Sequence, residues 1–226
     1  MMPRRAVPAA SQTDYVATMQ PDFAHTPVLL DEVLALAARR APKRIVDCTV
    51  GGGGHAAALL QAHPQALYLG IDRDPAALGA AARHLAAFAP RVRLVHGEMG
   101  DLRQVLQDED FGQPDFLLAD FGVSSHQLDV AERGFSFRFD GPLDMRMDPT
   151  RGCDAATLIA RMDVPSLAHV LRTLGDERFA GPVARAMVAQ KPRTTFALAE
   201  LVRGVIPKGL QKIDPATRTF QAQRVY

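Results

Sequence analysis

An α/β fold built on a parallel sheet is what this sequence predicts, and three observations carry the prediction. Short apolar runs alternate with helical stretches from about residue 26 to residue 122; the first run leads into four consecutive glycines, Gly51 to Gly54; and the runs end at or next to acids, Asp47, Asp72, Glu98 and Asp120. Strands alternating with helices at this spacing form a parallel sheet covered on both faces. Ligands of such sheets sit at the carboxyl ends of the strands, where these acids fall.

The elements follow in order. TPVLLDEVLALAARR reads as a helix, with Thr26 as N-cap, Pro27 at the first helical position and apolar residues at helical spacing. RIVDCTV is a short buried strand that ends at the glycines. HAAALLQAH is a helix stopped by Pro64, ALYLGID a second strand, DPAALGAAARHLAAF an alanine-rich helix and RVRLVHGE a third strand. LRQVLQ is a short helix and DFLLADFG the fourth strand. Beyond Arg133 the texture changes: RGFSFRFDGPLDMRMDPTRG is rich in turn residues, aromatics and arginine, and ATLIARM, SLAHVLRTL, PVARAMVAQ and TTFALAELVRGVI read as helices without a strand among them. The expected organisation is a disordered tail over 1–24, a Rossmann-like core over 25–135, a helical insertion over 136–214, and the start of a return to the core over 215–226.

At 226 residues with 47% apolar content the chain can fill a core. No apolar run resembles a signal-peptide core or reaches the roughly 18 to 20 residues that cross a bilayer, so no membrane partner and a cytoplasmic location are expected. Cys48 and Cys153 lack C-x-x-C spacing and the seven histidines form no H-x-x-x-H pair, which argues against a disulfide framework and a metal site. The net charge of +1 hides an asymmetry: residues 1–130 carry 11 Lys/Arg against 15 Asp/Glu, and residues 131–226 carry 15 against 10. A basic distal half suits a polyanionic partner, and a solvated helical surface gives the same count.

Three ligands compete for the glycine turn in DCTVGGGGH. A phosphate-binding P-loop requires a lysine after the glycines, and none follows. Gly51, Gly53 and Ala56 satisfy the dinucleotide pattern G-x-G-x-x-A, with Asp72 at the end of the next strand to accept from ribose hydroxyls. S-adenosylmethionine makes the same demands through its adenosine but carries cationic groups in place of a pyrophosphate. The carboxylate of Asp47, just before the turn, favours the cation. A turn with no ligand would bear the backbone-entropy cost of four glycines without packing gain. The fourth strand ends in ADFGVSSHQLD; its DFG triplet lacks the other kinase motifs, and Asp120 reads either as an acceptor at the mouth of the site or as a turn cap. Ser124 and Ser125 suit substrate contact or turn hydroxyls, and His126 a surface loop.

HTPVLLDEVL, DCTVGGGGH, GIDRDPAAL, FGVSSHQLDVAERGFSFRFDGPLDMRMD, GDERFA and ATRTFQAQR, in this order, resemble the bacterial RsmH (MraW) family of small-subunit ribosomal RNA cytidine N4-methyltransferases, from about His25 to Tyr226. The resemblance implies a class I S-adenosylmethionine-dependent methyltransferase with a helical insertion subdomain, acting on a cytidine amine in the decoding region of 16S rRNA. It implies cofactor contacts at Gly53, Gly54, His55, Asp72, Met99, Asp120 and Gln127, with Asp47 added on the charge argument above. Met99 stands where the family often has Phe, a thioether replacing an aromatic against the adenine. The family also continues past the position of Tyr226 with further strands of the same sheet, so those C-terminal strands are expected to be absent.

A cytosine amine is a poor nucleophile because its lone pair is conjugated into the ring. Asp120 is expected to accept a hydrogen bond from it and relay its proton, with Ser124 and Ser125 positioning the base edge. Arg133, Phe135 and Arg138, with Phe137 and Phe139, are candidate contacts to 16S rRNA or the small ribosomal subunit; the alternating phenylalanines equally suit a buried strand face. A second copy of the chain is a further candidate partner. The rival readings are a nicotinamide-dependent oxidoreductase and an RNA-binding fragment that cannot hold cofactor.

Overall fold

Ile45 and Val46 are adjacent and both fully buried, yet they point into different cores. Side chains alternate across a strand, so two neighbouring apolar residues can both be buried only if the sheet is covered on both faces. A computed structural model, which describes residues 27–207, 209 and 213–226, shows that arrangement. Strands β1 (Arg44–Asp47), β2 (Leu67–Asp72), β3 (Val92–His96) and β4 (Phe116–Leu118) form one parallel sheet in the order β3-β2-β1-β4. The winding reverses between β1 and β4, where Asp47 pairs with Leu118.

One face is covered by α1 (Leu30–Arg40), α2 (Gly54–Ala62) and α3 (Pro75–His84), through Ala37, Leu59, Leu60 and Ala81 packed with Ile45 and Tyr68. The other is covered by α4 (Leu102–Asp108), whose Val105 meets Val46, Leu69 and Ile71. Each fully buried aliphatic side chain contributes about 1.5–3 kcal/mol relative to exposure, so both layers are needed to hold a sheet of four short strands. The N-cap assigned to Thr26 and the tail over 1–24 lie outside the described residues. Pro27 is not at the first helical turn: α1 begins at Leu30, after Leu29 in a left-handed conformation.

Beyond β4 the described residues contain no strand. A short helix α5 (Ser125–Asp129) leads into an irregular segment and then α6 (Ala155–Arg161), α7 (Val164–Gly175), α8 (Ala180–Gln190), α9 (Thr195–Val205) and α10 (Ala216–Val225). Asp154, Asp163 and Thr194 cap α6, α7 and α9 through their side chains, satisfying backbone N–H groups that the helices leave open. Among the described residues no helix is long and apolar enough to cross a membrane.

Over 215–226, read as the start of a return to the core, the chain forms α10, which packs on α7 and α9, with Phe220 fully buried and its ring edge-on to Phe137 at 4.8 Å. The phenylalanines of RGFSFRF are not one face of a strand. Phe135 is fully buried in the helical core, Phe137 half-buried against it, and Phe139 is 56% exposed, a gradient from core to solvent.

Candidate cofactor and substrate cleft

Asp47 ends β1 and is buried, so its carboxylate must be satisfied from within the protein. Tyr68 Oη donates to Asp47 Oδ2 at 2.7 Å, and the backbone N–H and hydroxyl of Thr49 donate to Oδ1 at 2.9 and 3.3 Å. Burial pushes the Asp47 carboxyl up, with these hydrogen bonds opposing it, and burial beside Asp47 pushes the Tyr68 phenol well above its ordinary value. The phenol is therefore the donor. Asp47, expected as a cofactor contact, lies beneath the cleft and not among its lining residues, and its carboxylate holds the turn through Thr49.

Thr49 extends the network across the sheet. Its hydroxyl oxygen accepts the backbone N–H of Asp120 at 2.8 Å, tying the tip of β4 to that of β1. Gly51 N–H donates to Asp72 Oδ2 at 2.8 Å, which ties the turn to the tip of β2. The other Asp72 oxygen accepts from Asp74 N–H at 2.9 Å, and burial raises the Asp72 carboxyl.

Above this network lies a cleft of about 720 Å³ at the switch point. Of the residues singled out in the sequence, Gly54, His55, Asp72, Met99, Asp120, Ser124, Ser125 and Gln127 line it. Gly53 does not. It has φ 84°, and a Cβ there would stand 3.3 Å from the Leu85 side chain, so it serves the left-handed entry to α2 and its packing against the end of α3. Ser124 lines the cleft but is not a disengaged hydroxyl. It caps α5, accepting from Gln127 N–H, while Gln127 Oε1 accepts from Ser124 N–H, a capping box. Ser124, expected to position the base edge, thus lines the cleft while its hydroxyl oxygen caps α5. His55 Nε2 is 3.0 Å from Val28 O.

The RNA contacts expected on the helical side separate sharply. Arg133 is an internal clamp: Nη1 donates to Asp74 Oδ2 at 2.7 Å and Nη2 to the carbonyls of Arg146 and Met147. Asp74, 2% exposed, also caps α3 and accepts from Gln127 Nε2. Arg133 and Phe135, expected to meet RNA, are thus both turned inward, Phe135 completely. Arg138 alone of the three is open, its side chain 68% exposed beside Asp129 at 3.3 Å.

Four residues of the site escaped the sequence reading. Phe121, 72% exposed on the cleft wall next to Asp120, was hidden inside an accidental DFG triplet. Thr49 carried no motif signal. Gln221 and Arg224 line the cleft from α10, an element read as something else.

S-adenosylmethionine fits the cleft on its own terms. Gly51, Gly52 and Gly54 line it, Asp72 can accept from a ribose, and Asp72, Glu98 and Asp120 offset positive charge. A Rossmann-like sheet with this cleft suits an S-adenosylmethionine-dependent methyltransferase, and the family decides between that and a dinucleotide enzyme. The profile of the MraW methylase family matches residues 22–226, and the chain belongs to that family.

Ribosomal RNA small subunit methyltransferase H of Trichlorobacter lovleyi is 46% identical over 211 residues, 90% of this chain and 67% of that protein. Its counterpart in Anaeromyxobacter sp. (strain K) is 47% identical over 213 residues, 92% of this chain and 68% of that protein. That of Thermobifida fusca is 44% identical over 214 residues, 91% and 65%. The chain spans about two thirds of the length of these relatives. A solved S-adenosylhomocysteine-bound methyltransferase, PaMTH1 of Podospora anserina, overlaps 77% of this chain and 67% of its own at a TM-score of 0.36 and 17% identity, too distant to bear on the site. Family membership sets aside the nicotinamide oxidoreductase.

Proposed function

We propose that the chain methylates the exocyclic N4 amine of a cytidine in the decoding region of 16S rRNA. The carrying observation is the exposed Asp120 carboxylate in the same cleft as the glycine turn, with its backbone held by Thr49. The relatives' name, ribosomal RNA small subunit methyltransferase, supports an RNA acceptor. Such a substrate implies work in the cytoplasm.

When bound, S-adenosylmethionine supplies an electrophilic methyl group on a sulfonium. The backbone of Gly51 and Gly52 and the carboxylate of Asp72 hold the adenosine end, and Met99 offers a thioether to the adenine. Asp120 accepts a hydrogen bond from the cytosine amine, which raises the availability of its lone pair. Asp120 would also take the proton that the nitrogen sheds on methylation. Phe121, beside it, offers a ring face to a base swung out of its stack, at a cost of a few kcal/mol or less if the nucleotide is already unpaired. Arg138 and Phe139 form the outer contact surface.

Calorimetric titration with S-adenosylmethionine, with NAD as control, tests the first half of this reading. Methyl transfer to unmodified small ribosomal subunits and to free 16S rRNA tests the second. Cofactor binding with modification of one defined cytidine is the expected result. Salt-dependent RNA binding without cofactor binding would instead identify an RNA-binding fragment.

A further inference from the structure

Arg224 occupies the last turn of α10 and lines the cleft. Its Nε donates to Phe135 O at 2.7 Å, and Nη2 donates to the same carbonyl. A guanidinium has five N–H donors in a rigid fork, so one carbonyl leaves most of it unused. Arg133, Arg138, Arg146, Arg151, Arg203 and Arg218 each face an aspartate, whereas no ion pair among the described residues includes Arg224. Burial pulls its pKa down, with no acid to raise it. Arginine keeps its charge regardless, and a half-buried cation without an acid beside it suits an anion.

Arg91 shows what a satisfied lone arginine looks like in this fold. It donates to the carbonyls of Leu60 and His63 at the end of α2, where the helix dipole supplies negative charge, and of Ala66 just before β2, and it is not on the cleft wall. The end of α10 offers Arg224 part of that compensation, but Phe135 O, its acceptor, belongs to an irregular segment. The cleft's other arginine, Arg73, is exposed.

We infer that Arg224 anchors an oxyanion in the cleft: the carboxylate of the methyl donor or a phosphate of the RNA beside the target nucleotide. The inference rests on the methyltransferase reading above and assigns a task to the helical half within the shared cleft.

Three titrations of the full chain and of Arg224→Gln test it, with S-adenosylmethionine, with 5′-methylthioadenosine, which lacks the amino acid half, and with an RNA oligonucleotide of the decoding-region sequence. If the carboxylate is the ligand, Arg224→Gln weakens S-adenosylmethionine about tenfold or more and leaves 5′-methylthioadenosine unchanged. If a phosphate is the ligand, both small molecules bind as before, RNA affinity falls, and the slope of log affinity against log salt drops by roughly one. Equal weakening of all three would reveal a purely structural residue and overturn the inference, as would no change in any. Arg224→Lys, which keeps the charge and loses the fork, replaces Arg224→Gln if the latter fails to fold, with a smaller shift of the same pattern expected. If the unaltered chain binds neither cofactor nor RNA, the methyltransferase reading fails first and the inference with it; normal binding by both proteins removes the inference alone.

Discussion

The Thr49 hydroxyl accepts the backbone N–H of Asp120 at 2.8 Å while donating to Asp47, so a single side chain bridges the tips of two strands across the switch point. Thr49→Val keeps the shape and removes both bonds. The hydrogen bond from the Asp120 N–H is worth about 1 kcal/mol and the long one to the Asp47 carboxylate about 1.5 kcal/mol, and misplacing a reacting group by a fraction of an ångström costs far more in rate than in stability. We expect turnover to fall roughly tenfold or more with the melting temperature lowered by only a few degrees. Thr49→Ser should restore most of the rate. A rate loss no greater than the stability loss explains would show that Thr49 does not position Asp120.

Asp120 itself separates chemistry from binding. Asp120→Asn retains the size and loses the proton acceptor, so methyl transfer should drop by about 100-fold or more. Affinity for S-adenosylmethionine should stay within a few-fold. Full turnover in the variant, measured under single-turnover conditions, would remove Asp120 from the chemical step.

Phe121 permits a direct optical test because the chain contains no tryptophan. Phe121→Trp introduces a unique fluorophore on the cleft wall, and a base stacked on it should quench and shift its emission on RNA addition. Phe121→Ala should raise KM for RNA by about 5- to 100-fold, since a base on an aromatic face is worth about 1–3 kcal/mol. Unchanged emission at saturating RNA would place the target base elsewhere.

Arg133 and Asp74 form the main electrostatic seam between the sheet and the helical half, with side-chain exposures of 14% and 3%. Removing one partner leaves the other charge buried without its counterion, so Arg133→Ala should cost about 3–5 kcal/mol in a denaturant titration. RNA affinity per folded molecule should be unaffected. A mild stability effect with a large loss of RNA binding would return Arg133 to the substrate surface.

Acid should act in opposite senses on carboxylates paired with arginine and on the buried carboxylates of the strand tips. Burial raises Asp144 and Asp214, but hydrogen bonds from Arg146 and Arg203 outweigh it and hold both below their ordinary 3.8. Their contribution to stability is full above pH 3.8 and disappears as pH falls through the lowered values. Asp47 and Asp72 are raised by burial, so protonating them as pH falls toward 3.8 favours the folded sheet. Hydrogen exchange below pH 3.8 should show amides next to Asp144 and Asp214 losing protection before those next to Asp47 and Asp72. Simultaneous loss would mean that these pairs do not set acid sensitivity.

What the sequence by itself determined were the features written in local pattern. Four apolar runs, their helices, the glycine turn and the acids at the strand ends are periodicities and spacings, and covalent geometry turns these into a parallel sheet with a cleft over its carboxyl edge. Tertiary structure alone decided which of the named side chains face that cleft. Asp47 turned inward because Tyr68, 21 residues away, brings a hydroxyl to it; Arg133 was withdrawn from solvent by Asp74, 59 residues earlier. Arg224 reached the cleft because α10 docks on α7 and α9, carrying its last turn to the mouth of a sheet it does not belong to. A charge or an aromatic ring carries the same chemistry whether it is buried or open, and its burial is set by contacts between distant segments that no local spacing records.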